Sequence, residues 1–171
     1  MAQVQSPAPA TVGKADHERF MRRVIEMAKQ TSEAGAGGPF SALIVKDGKV
    51  VGEGVNRVIA EKDPTWHGEV SAIRDACKNL GTHDLTGCVM YTAGESCPMC
   101  YASAWWARIG TIYFAATFED ARKYGNFDDS VINDALKLPN EQRKVPAYQI
   151  LHEEILPIWQ AFGANPNRVR Y

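Results

Sequence analysis

The chain has 171 residues, of which 45% are hydrophobic, and this is enough for a single domain with one sizeable core. Its 19 basic and 20 acidic side chains give a net charge of −1, so it lacks the basic surface with which proteins neutralise many phosphates. The sequence therefore predicts a small, weakly charged ligand and no stable contact with nucleic acid. Its four cysteines do not indicate the disulfide framework of a short secreted protein, and a reducing, cytoplasmic compartment is expected.

The chain is expected to begin with a disordered tail, residues 1–15, and to continue as one folded domain over residues 16–171. The tail has no apolar run long enough for a signal peptide or a membrane span, and no association with a membrane is predicted. From Asp16 onward, apolar residues recur at helical spacing as far as Gly35. This pattern predicts a first helix that is capped by Asp16 and ended by Gly35.

Strand and helix patterns alternate through the rest of the chain. Two apolar runs flank Asp47-Gly48, which is typical of a tight hairpin turn, and so predict two antiparallel strands. The pattern that follows favours crossovers and parallel pairing. Its predicted elements are a helix at 67–79, a strand at 89–92, a helix at 98–107, a strand at 111–114, a last strand at 148–151 and a helix at 153–162 that contains Pro157.

Two short motifs carry candidate metal ligands, His67-Gly68-Glu69 and Cys97-Pro98-Met99-Cys100. Proline is typical of a first helical turn, so the two cysteines would lie three residues apart on one helix face. The histidine also precedes a helical pattern, and two helix starts that face each other would bring its imidazole and both sulfurs to one ion. Zinc prefers such ligands, and a site with only three of them keeps a position for water.

The glutamate of the first motif completes a catalytic set. Glu69 is not needed as a ligand, so its carboxylate can take a proton from an activated water. A structural zinc site is the alternative, but it would need a fourth protein ligand, for which Cys77 and Cys88 are the candidates. Both lie where apolar side chains are expected and are predicted to be buried thiols. A chance coincidence of one histidine with a cysteine pair is a further alternative.

A His-x-Glu motif with a later Cys-x-x-Cys resembles the zinc-dependent cytidine-deaminase-like superfamily of nucleobase deaminases, and most closely its guanine deaminase family. The resemblance covers about residues 16–171. The stretches that carry it are Gly38-Pro39-Phe40, Glu53-Gly54-Val55-Asn56, Asp63-Pro64-Thr65, Ala72-Ile73-Arg74, Trp106-Ala107-Arg108 and Phe127-Asp128-Asp129-Ser130. It implies an α/β fold, a cytidine-deaminase-like three-layer α/β/α sandwich with a five-stranded mixed sheet, and one zinc per subunit bound by His67, Cys97 and Cys100.

The resemblance also implies a reaction, the hydrolytic deamination of a guanine-like purine base to give xanthine and ammonia. Glu69 would be the proton shuttle and Asp129 an auxiliary catalyst. The substrate-binding residues would be Phe40, Asn56, Trp106 and Tyr171. From the residues alone, Asn56 would equally suit a turn, Phe40 a core, and Asp129 a solvated turn. Trp105 and Trp106 are adjacent on a helix, so one is expected to pack inward and the other toward the pocket or a partner subunit.

Three departures from the family pattern lie beside the metal ligands, and they leave the substrate open. The usual His-Ala-Glu reads His67-Gly68-Glu69, as in fungal-type cytosine deaminases, and Gly94 and Ser96 stand where the family carries cysteine and proline. Cytosine, guanosine or an amino-triazine is therefore an alternative substrate. A tRNA adenosine deaminase is disfavoured by the charge balance, and a non-catalytic zinc-stabilised binding module by the intact Glu69.

The family also implies a homodimer. Relatives close the active site with a C-terminal tyrosine, here Tyr171, and in some of them the C-terminal segment is exchanged between subunits, so the sequence leaves the kind of dimer open. Apolar side chains on the predicted helix at 98–107, Tyr101 and Trp105 among them, favour self-association without specifying its geometry.

Overall fold

The structure is a computed structural model that describes residues 13–169. Twelve residues of the predicted N-terminal tail and the predicted active-site residue Tyr171 lie outside this range. In chain order the elements are α1 Lys14–Glu33, β1 Ser41–Lys46, β2 Lys49–Val55, α2 Val58–Glu61, α3 Gly68–Leu80, β3 Cys88–Gly94, α4 Pro98–Trp106, β4 Thr111–Ala116, α5 Phe118–Gly125, α6 Ser130–Leu136 and α7 His152–Ala164, with a short 3-10 turn at Asn140–Gln142 before α7.

The N-cap of helix α1 lies three residues earlier than the sequence pattern predicted. Gly13 is its N-cap, while Asp16 lies in the first turn and pairs with Arg19 at 3.0 Å. A carboxylate in the first turn is favourable because it faces the positive end of the helix dipole. Gly35 follows the helix in a left-handed conformation, with φ of 64°, as expected for a glycine that ends a helix.

The strands form one mixed sheet in the order β2-β1-β3-β4. The predicted hairpin is confirmed, since β1 and β2 are antiparallel and Asp47 and Gly48 both have positive φ, at 49° and 74°. Strand β1 also pairs with β3 in antiparallel fashion, whereas β3 and β4 are parallel. Helix α4 supplies the crossover between the two parallel strands.

The predicted five-stranded sheet is wrong for the described residues, which form four strands. The missing strand is the one expected at 148–151. This segment is irregular, its side chains are exposed, and Leu151 adopts a left-handed φ of 53° that interrupts an extended chain just before α7. The helix predicted after it is confirmed, with Pro157 inside α7.

Helices cover both faces of the sheet. On one face, α1 packs Phe20 and Val24 against Leu43 of β1 and Tyr91 of β3. On the other face, α3 and α4 pack against the alternate residues of the same two strands. The buried side chains of this second cluster are Ala42, Ile44, Ala72, Ile73, Ala76, Leu85, Cys88, Met90, Ala104 and Ala107. The sheet is therefore the middle layer of an α/β/α arrangement.

Two glycines in β2 allow α3 to approach the sheet closely. A Cβ at Gly52 would lie 2.5 Å from the carbonyl oxygen of Ala72, and one at Gly54 would lie 2.2 Å from that of Gly68. No side chain fits at such distances, so the helix backbone rests directly on the strand. This contact fixes the start of α3, where the first candidate metal ligand is located.

The chain divides into two compact units at the bond between Asp129 and Ser130. The first unit contains the whole sheet and helices α1 to α5, and the second contains α6 and α7. A single folded domain over residues 16–171 stays a prediction. Within residues 13–169, no helix combines the length and apolar character needed to span a bilayer.

Candidate active site

The ligand side chains are presented by the starts of two helices. His67 is the N-cap of α3 and Cys97 is the N-cap of α4, and both have extended backbone, with ψ of 158° and 164°. Pro98 occupies the first turn of α4, where its missing N–H is not needed, and Cys100 lies in the same turn. The helix starts predicted from the two motifs are therefore confirmed, and α3 and α4 contact each other.

The three ligand atoms have the separations of a tetrahedral zinc site. The Nδ1 atom of His67 is 3.6 Å from the sulfur of Cys97 and 3.5 Å from that of Cys100, and the three atoms lie within 4.8 Å of one another. Zinc bonds of about 2.0 Å to nitrogen and 2.3 Å to sulfur at tetrahedral angles require a nitrogen to sulfur distance of roughly 3.6 Å. The side chains thus fit a zinc ion without rearrangement, and both cysteines are buried.

Hydrogen bonds within this cluster favour a deprotonated sulfur. The bond from the thiol of Cys100 lowers the pKa of Cys97, and the bond with His67 acts in the same direction. The bond with Cys97 in turn raises the pKa of His67 and is also the main reason that the pKa of Cys100 is raised. A thiolate is the form of cysteine that binds a metal, so the cluster is partly prepared for a cation.

Glu69 lies in the first turn of α3 and is only 6% exposed. Burial raises the pKa of its carboxyl group, and the negative charge of Cys97 raises it further, while His67 opposes the shift. A raised pKa brings the carboxyl group closer to the pH at which a proton shuttle must both accept and return a proton.

Asp129 lies close enough to the ligands for their charges to act on it. Burial raises the pKa of its carboxyl group, the Cys97 sulfur raises it further, and His67 lowers it. The preceding aromatic residue, Phe127, contacts Phe40 with ring centroids 5.1 Å apart. The end of α5 and the start of β1 therefore meet next to the metal ligands.

Phe40 and Asn56 are linked through the backbone. The N–H of Asn56 donates to the carbonyl oxygen of Phe40 at 2.8 Å, which joins the end of β2 to the residue before β1. The side-chain oxygen of Asn56 accepts the N–H of Val58 at 3.3 Å and so forms the turn that begins α2. The two N–H donors of its amide take no part in that turn. Phe40 is half-buried.

The prediction that one of the two adjacent tryptophans packs inward is wrong. Trp105 is 71% exposed and Trp106 is 64% exposed on α4. The cause is the position of both rings near the end of a short helix, whose buried side carries Cys100 and Ala104 instead. A substrate-binding role for Trp106 stays a prediction, as does that of Tyr171.

The departures from the family pattern have a local structural basis. A Cβ at Gly68 would lie 2.8 Å from the carbonyl oxygen of Phe40 and 2.9 Å from the Cα of Ser41, so glycine suits the closeness of α3 to β1. A Cβ at Gly94 would lie 3.5 Å from the ring of Phe40, an ordinary contact. The hydroxyl oxygen of Ser96 is buried without a hydrogen-bond partner next to the ligand Cys97.

Two supporting contacts were not found from the sequence. Glu95 accepts the N–H of Phe118 at 3.1 Å and so ties the loop before the cysteines to the start of α5. Arg74 lies over the ring of Trp66, 4.7 Å from its centroid, and steadies the residue before His67. Helical spacing alone offers no signal for the first contact. For the second contact, the family resemblance included Arg74 but did not indicate that the side chain would lie over Trp66.

The other cysteines and histidines do not join the cluster. Cys88 is buried as predicted, Cys77 is only partly buried, and burial raises the pKa of both thiols. The Nδ1 atom of His17 lies 2.7 Å from the hydroxyl of Tyr91. Its ring also contacts Tyr113, with centroids 4.4 Å apart. Among the described residues, the metal-type cluster is therefore the one formed by a histidine and two cysteines.

Known proteins share both the sequence and the fold of this chain. Guanine deaminase of Bacillus subtilis (strain 168) is 44% identical over 156 residues, which are 91% of this chain and 99% of that protein. The X-ray structure of guanine deaminase from Bacillus subtilis superposes with a TM-score of 0.85 at 44% identity and covers 91% of this chain and 98% of its own. The crystal structure of a mutant of the protein NE0047 in complex with 8-azaguanine gives a TM-score of 0.63 at 28% identity and covers 73% of this chain and 70% of its own.

A more distant relative acts on RNA. The tRNA-specific adenosine deaminase of Aquifex aeolicus (strain VF5) is 38% identical over 99 residues, which are 58% of this chain and 65% of that protein.

Residues 14–116 match the family model of the cytidine and deoxycytidylate deaminase zinc-binding region, a span that holds all three ligands and Glu69. The resemblance to zinc-dependent deaminases predicted from the sequence is confirmed, and the chain belongs to the cytidine and deoxycytidylate deaminase family.

Proposed function

We propose that the chain is a guanine deaminase, a zinc-dependent hydrolase that converts guanine and water to xanthine and ammonia. The observation that carries this proposal is the similarity to a guanine deaminase over nearly the whole length of both chains, together with an intact set of His67, Cys97, Cys100 and Glu69. The reaction requires a nucleophile at the amino-bearing ring carbon and a group that moves protons to the leaving nitrogen.

His67, Cys97 and Cys100 would hold the zinc, which would supply Lewis acidity and so lower the pKa of a water molecule to about 7. Glu69 moves the protons. Its carboxylate takes one proton from the attacking water and delivers it to the ring nitrogen. It then takes a second proton from the hydroxyl group now on the ring carbon and delivers it to the amino group, so that the C–N bond breaks, the carbonyl forms and ammonia leaves. Burial supports this assignment, because it raises the pKa of the carboxyl group and so lets the protonated form exist during the reaction.

Five further residues have proposed roles around the base. Asp129 assists proton transfer to the leaving nitrogen, supported by its proximity to His67 and Cys97. Asn56 binds the polar edge of the purine through its amide, and Phe40 packs against the base plane. Trp106 and Tyr171 remain proposed pocket residues on the family resemblance alone.

Replacing Glu69 with glutamine tests the proposal. The variant keeps the shape of the side chain but cannot carry the proton, so ammonia release from guanine should fall on the order of 100-fold or more, while zinc remains bound. Turnover by ammonia assay and zinc content by mass spectrometry measure the two properties. Glu26→Gln, at an exposed position on α1, is the control and should behave like the parent. Full activity of E69Q would refute the role of Glu69.

The same assay separates the substrate candidates. Guanine, guanosine, cytosine, adenine and a diaminotriazine should be compared at equal concentration, and guanine should give the highest kcat/KM. Preference for cytosine would indicate that Gly68 shifts the site toward the cytosine deaminases. Deamination of a tRNA anticodon would support the RNA-acting relatives, although 19 basic against 20 acidic side chains provide no excess of positive charge for RNA.

We propose that the enzyme is cytoplasmic and works as a homodimer, with exchange of the C-terminal segment as one arrangement. Four free cysteines are consistent with a reducing compartment. The exposed aromatic rings of Tyr101, Trp105 and Trp106 on α4 are typical of a surface that associates with another subunit. Light scattering should give twice the mass of the chain, and a monomer at micromolar concentration would refute the dimer.

A further inference from the structure

Phe127 and Phe40 form an aromatic pair whose surroundings are kept open by glycines. Their ring planes are at 85°, an edge-to-face contact. A Cβ at Gly38 would lie 3.0 Å from the ring of Phe40 and 3.8 Å from that of Phe127. A Cβ at Gly125 would lie only 2.9 Å from Cδ2 of Phe127. The glycine at the end of α5 therefore provides the space in which the Phe127 ring lies.

The backbone of Phe127 is fixed as well as its ring. Its N–H donates to the carbonyl oxygen of Ala121 at 3.2 Å, and Asn126 before it takes the left-handed conformation that ends α5, with φ of 57°. The start of the same helix is held by the bond from the N–H of Phe118 to Glu95, two residues before the ligand Cys97. Helix α5 is therefore connected to the metal-binding loop at one end and directs Phe127 at the other.

A core role does not account for this arrangement. The Phe127 side chain is 48% exposed, so it gains only part of the free energy that full burial of a phenylalanine provides. Its place in the chain is more informative, because a single residue separates it from Asp129. A ring held by Phe40 on one side and by the end of α5 on the other restricts where that carboxylate can lie.

We propose that Phe127 is a positioning residue, whose edge-on contact with Phe40 holds Asp129 at the reacting face of the active site. This inference rests on the proposed function, because it assumes that Asp129 takes part in the reaction. Phe127 does not itself need to touch the substrate. Its effect passes through the carboxylate, and misplacement of a catalytic group by about 1 Å is enough to lower a rate by on the order of 100-fold.

Truncation of the ring is the first test. Phe127→Ala should lower kcat on guanine by on the order of 10- to 100-fold, with a smaller change in KM. Zinc content and the thermal midpoint should stay near those of the parent. Phe127→Tyr keeps the ring and should restore most of the rate, whereas Phe127→Leu should not. The matched control is Tyr124→Ala, which removes a 77% exposed ring from the preceding helix, α5, and should leave kcat unchanged.

A double-mutant cycle with Asp129→Asn distinguishes positioning from an independent effect. If Phe127 acts through Asp129, then adding F127A to D129N should lower kcat by less than about twofold, because the carboxylate is already absent. The same four proteins should be compared for affinity to 8-azaguanine by calorimetry, which requires no turnover. The inference would be overturned if the losses caused by F127A and D129N multiplied in the double mutant, both for kcat and for the affinity to 8-azaguanine. It would also be overturned if F127A lost zinc and activity to the same extent.

Gly125→Ala provides a variant that does not shorten any side chain. Alanine favours the helix by about 0.5–1 kcal/mol over glycine, yet its Cβ would displace the Phe127 ring. We expect unchanged or higher thermal stability together with a lower kcat. An unchanged kcat would count against the positioning role. Parent protein that releases no ammonia from guanine would instead refute the proposed function, and the 8-azaguanine cycle would still report on the coupling of Phe127 to Asp129.

Discussion

At the scale of single residues, the tight packing around Gly68, which lies between the ligand His67 and the proposed proton shuttle Glu69, makes a substitution there informative. Gly68→Ala would place a Cβ 2.8 Å from the carbonyl oxygen of Phe40, and a backbone atom cannot rotate away as a side chain can. We expect the start of α3 to move, with a loss of about 1–3 kcal/mol in the free energy of unfolding and a lower zinc content. Urea denaturation and metal analysis measure both.

A glycine with open space around it serves as the control for this substitution. Gly163 lies within α7, and a Cβ there would meet nothing within 4 Å, so Gly163→Ala should leave stability unchanged or raise it. If G68A retains the zinc and the unfolding free energy of the parent, then the contact of Gly68 with Phe40 does not restrict this position. The glycine would then be a neutral departure from the His-Ala-Glu pattern.

At the scale of elements, the position of α3 depends on the bare strand beneath it. Gly54→Ala would put a Cβ 2.2 Å from the carbonyl oxygen of Gly68 and 2.3 Å from the backbone nitrogen of Ala72. We expect a larger loss of stability than in G68A, about 3 kcal/mol or more, because two backbone segments must separate. The urea midpoint measures it. The control is Lys49→Ala, which shortens an exposed side chain of β2 and should have little effect on the midpoint. A urea midpoint of G54A equal to that of the parent would contradict the close packing.

The elements also show what could be predicted from sequence. The hairpin at Asp47-Gly48 and the two ligand-bearing helix starts depend on residues within one turn of each other, and such local signals were sufficient. The prediction of a strand at 148–151 was wrong because a short apolar run does not reveal whether a sheet edge is available to pair with it. The contact of Phe127 with Phe40 joins distant parts of the chain, and nothing in the spacing of either residue indicated it. The metal centre was predictable because its ligands come from only two local motifs.

At the scale of the whole molecule, a buried phenol makes stability depend on alkaline pH. Tyr91 is fully buried in the core between α1 and the sheet, and burial raises the pKa of its hydroxyl to about 12. The unfolded chain loses this proton near pH 10, whereas the folded protein keeps it. The associated stability is therefore present below about pH 10 and is lost as the pH rises toward 12, by about 2–3 kcal/mol in total.

Unfolding free energies measured by urea from pH 8 to pH 12 test this expectation. Tyr91→Phe should flatten the alkaline part of the curve, at the cost of the 2.7 Å contact with His17. Tyr148→Phe, at a residue that is 69% exposed, is the control and should leave the slope unchanged. An equal slope in Y91F and the parent would show that other groups, the buried thiols among them, dominate the alkaline loss.

The border between the two compact units falls directly after Asp129. A shortened protein that stopped there would carry its new terminal carboxylate on this same residue, a second negative charge within a few ångströms of the side chain. Such a charge would oppose ionisation of the side chain and resemble a defect in chemistry even if the sheet and the zinc ligands were intact. Any attempt to separate the units should therefore keep several residues of α6.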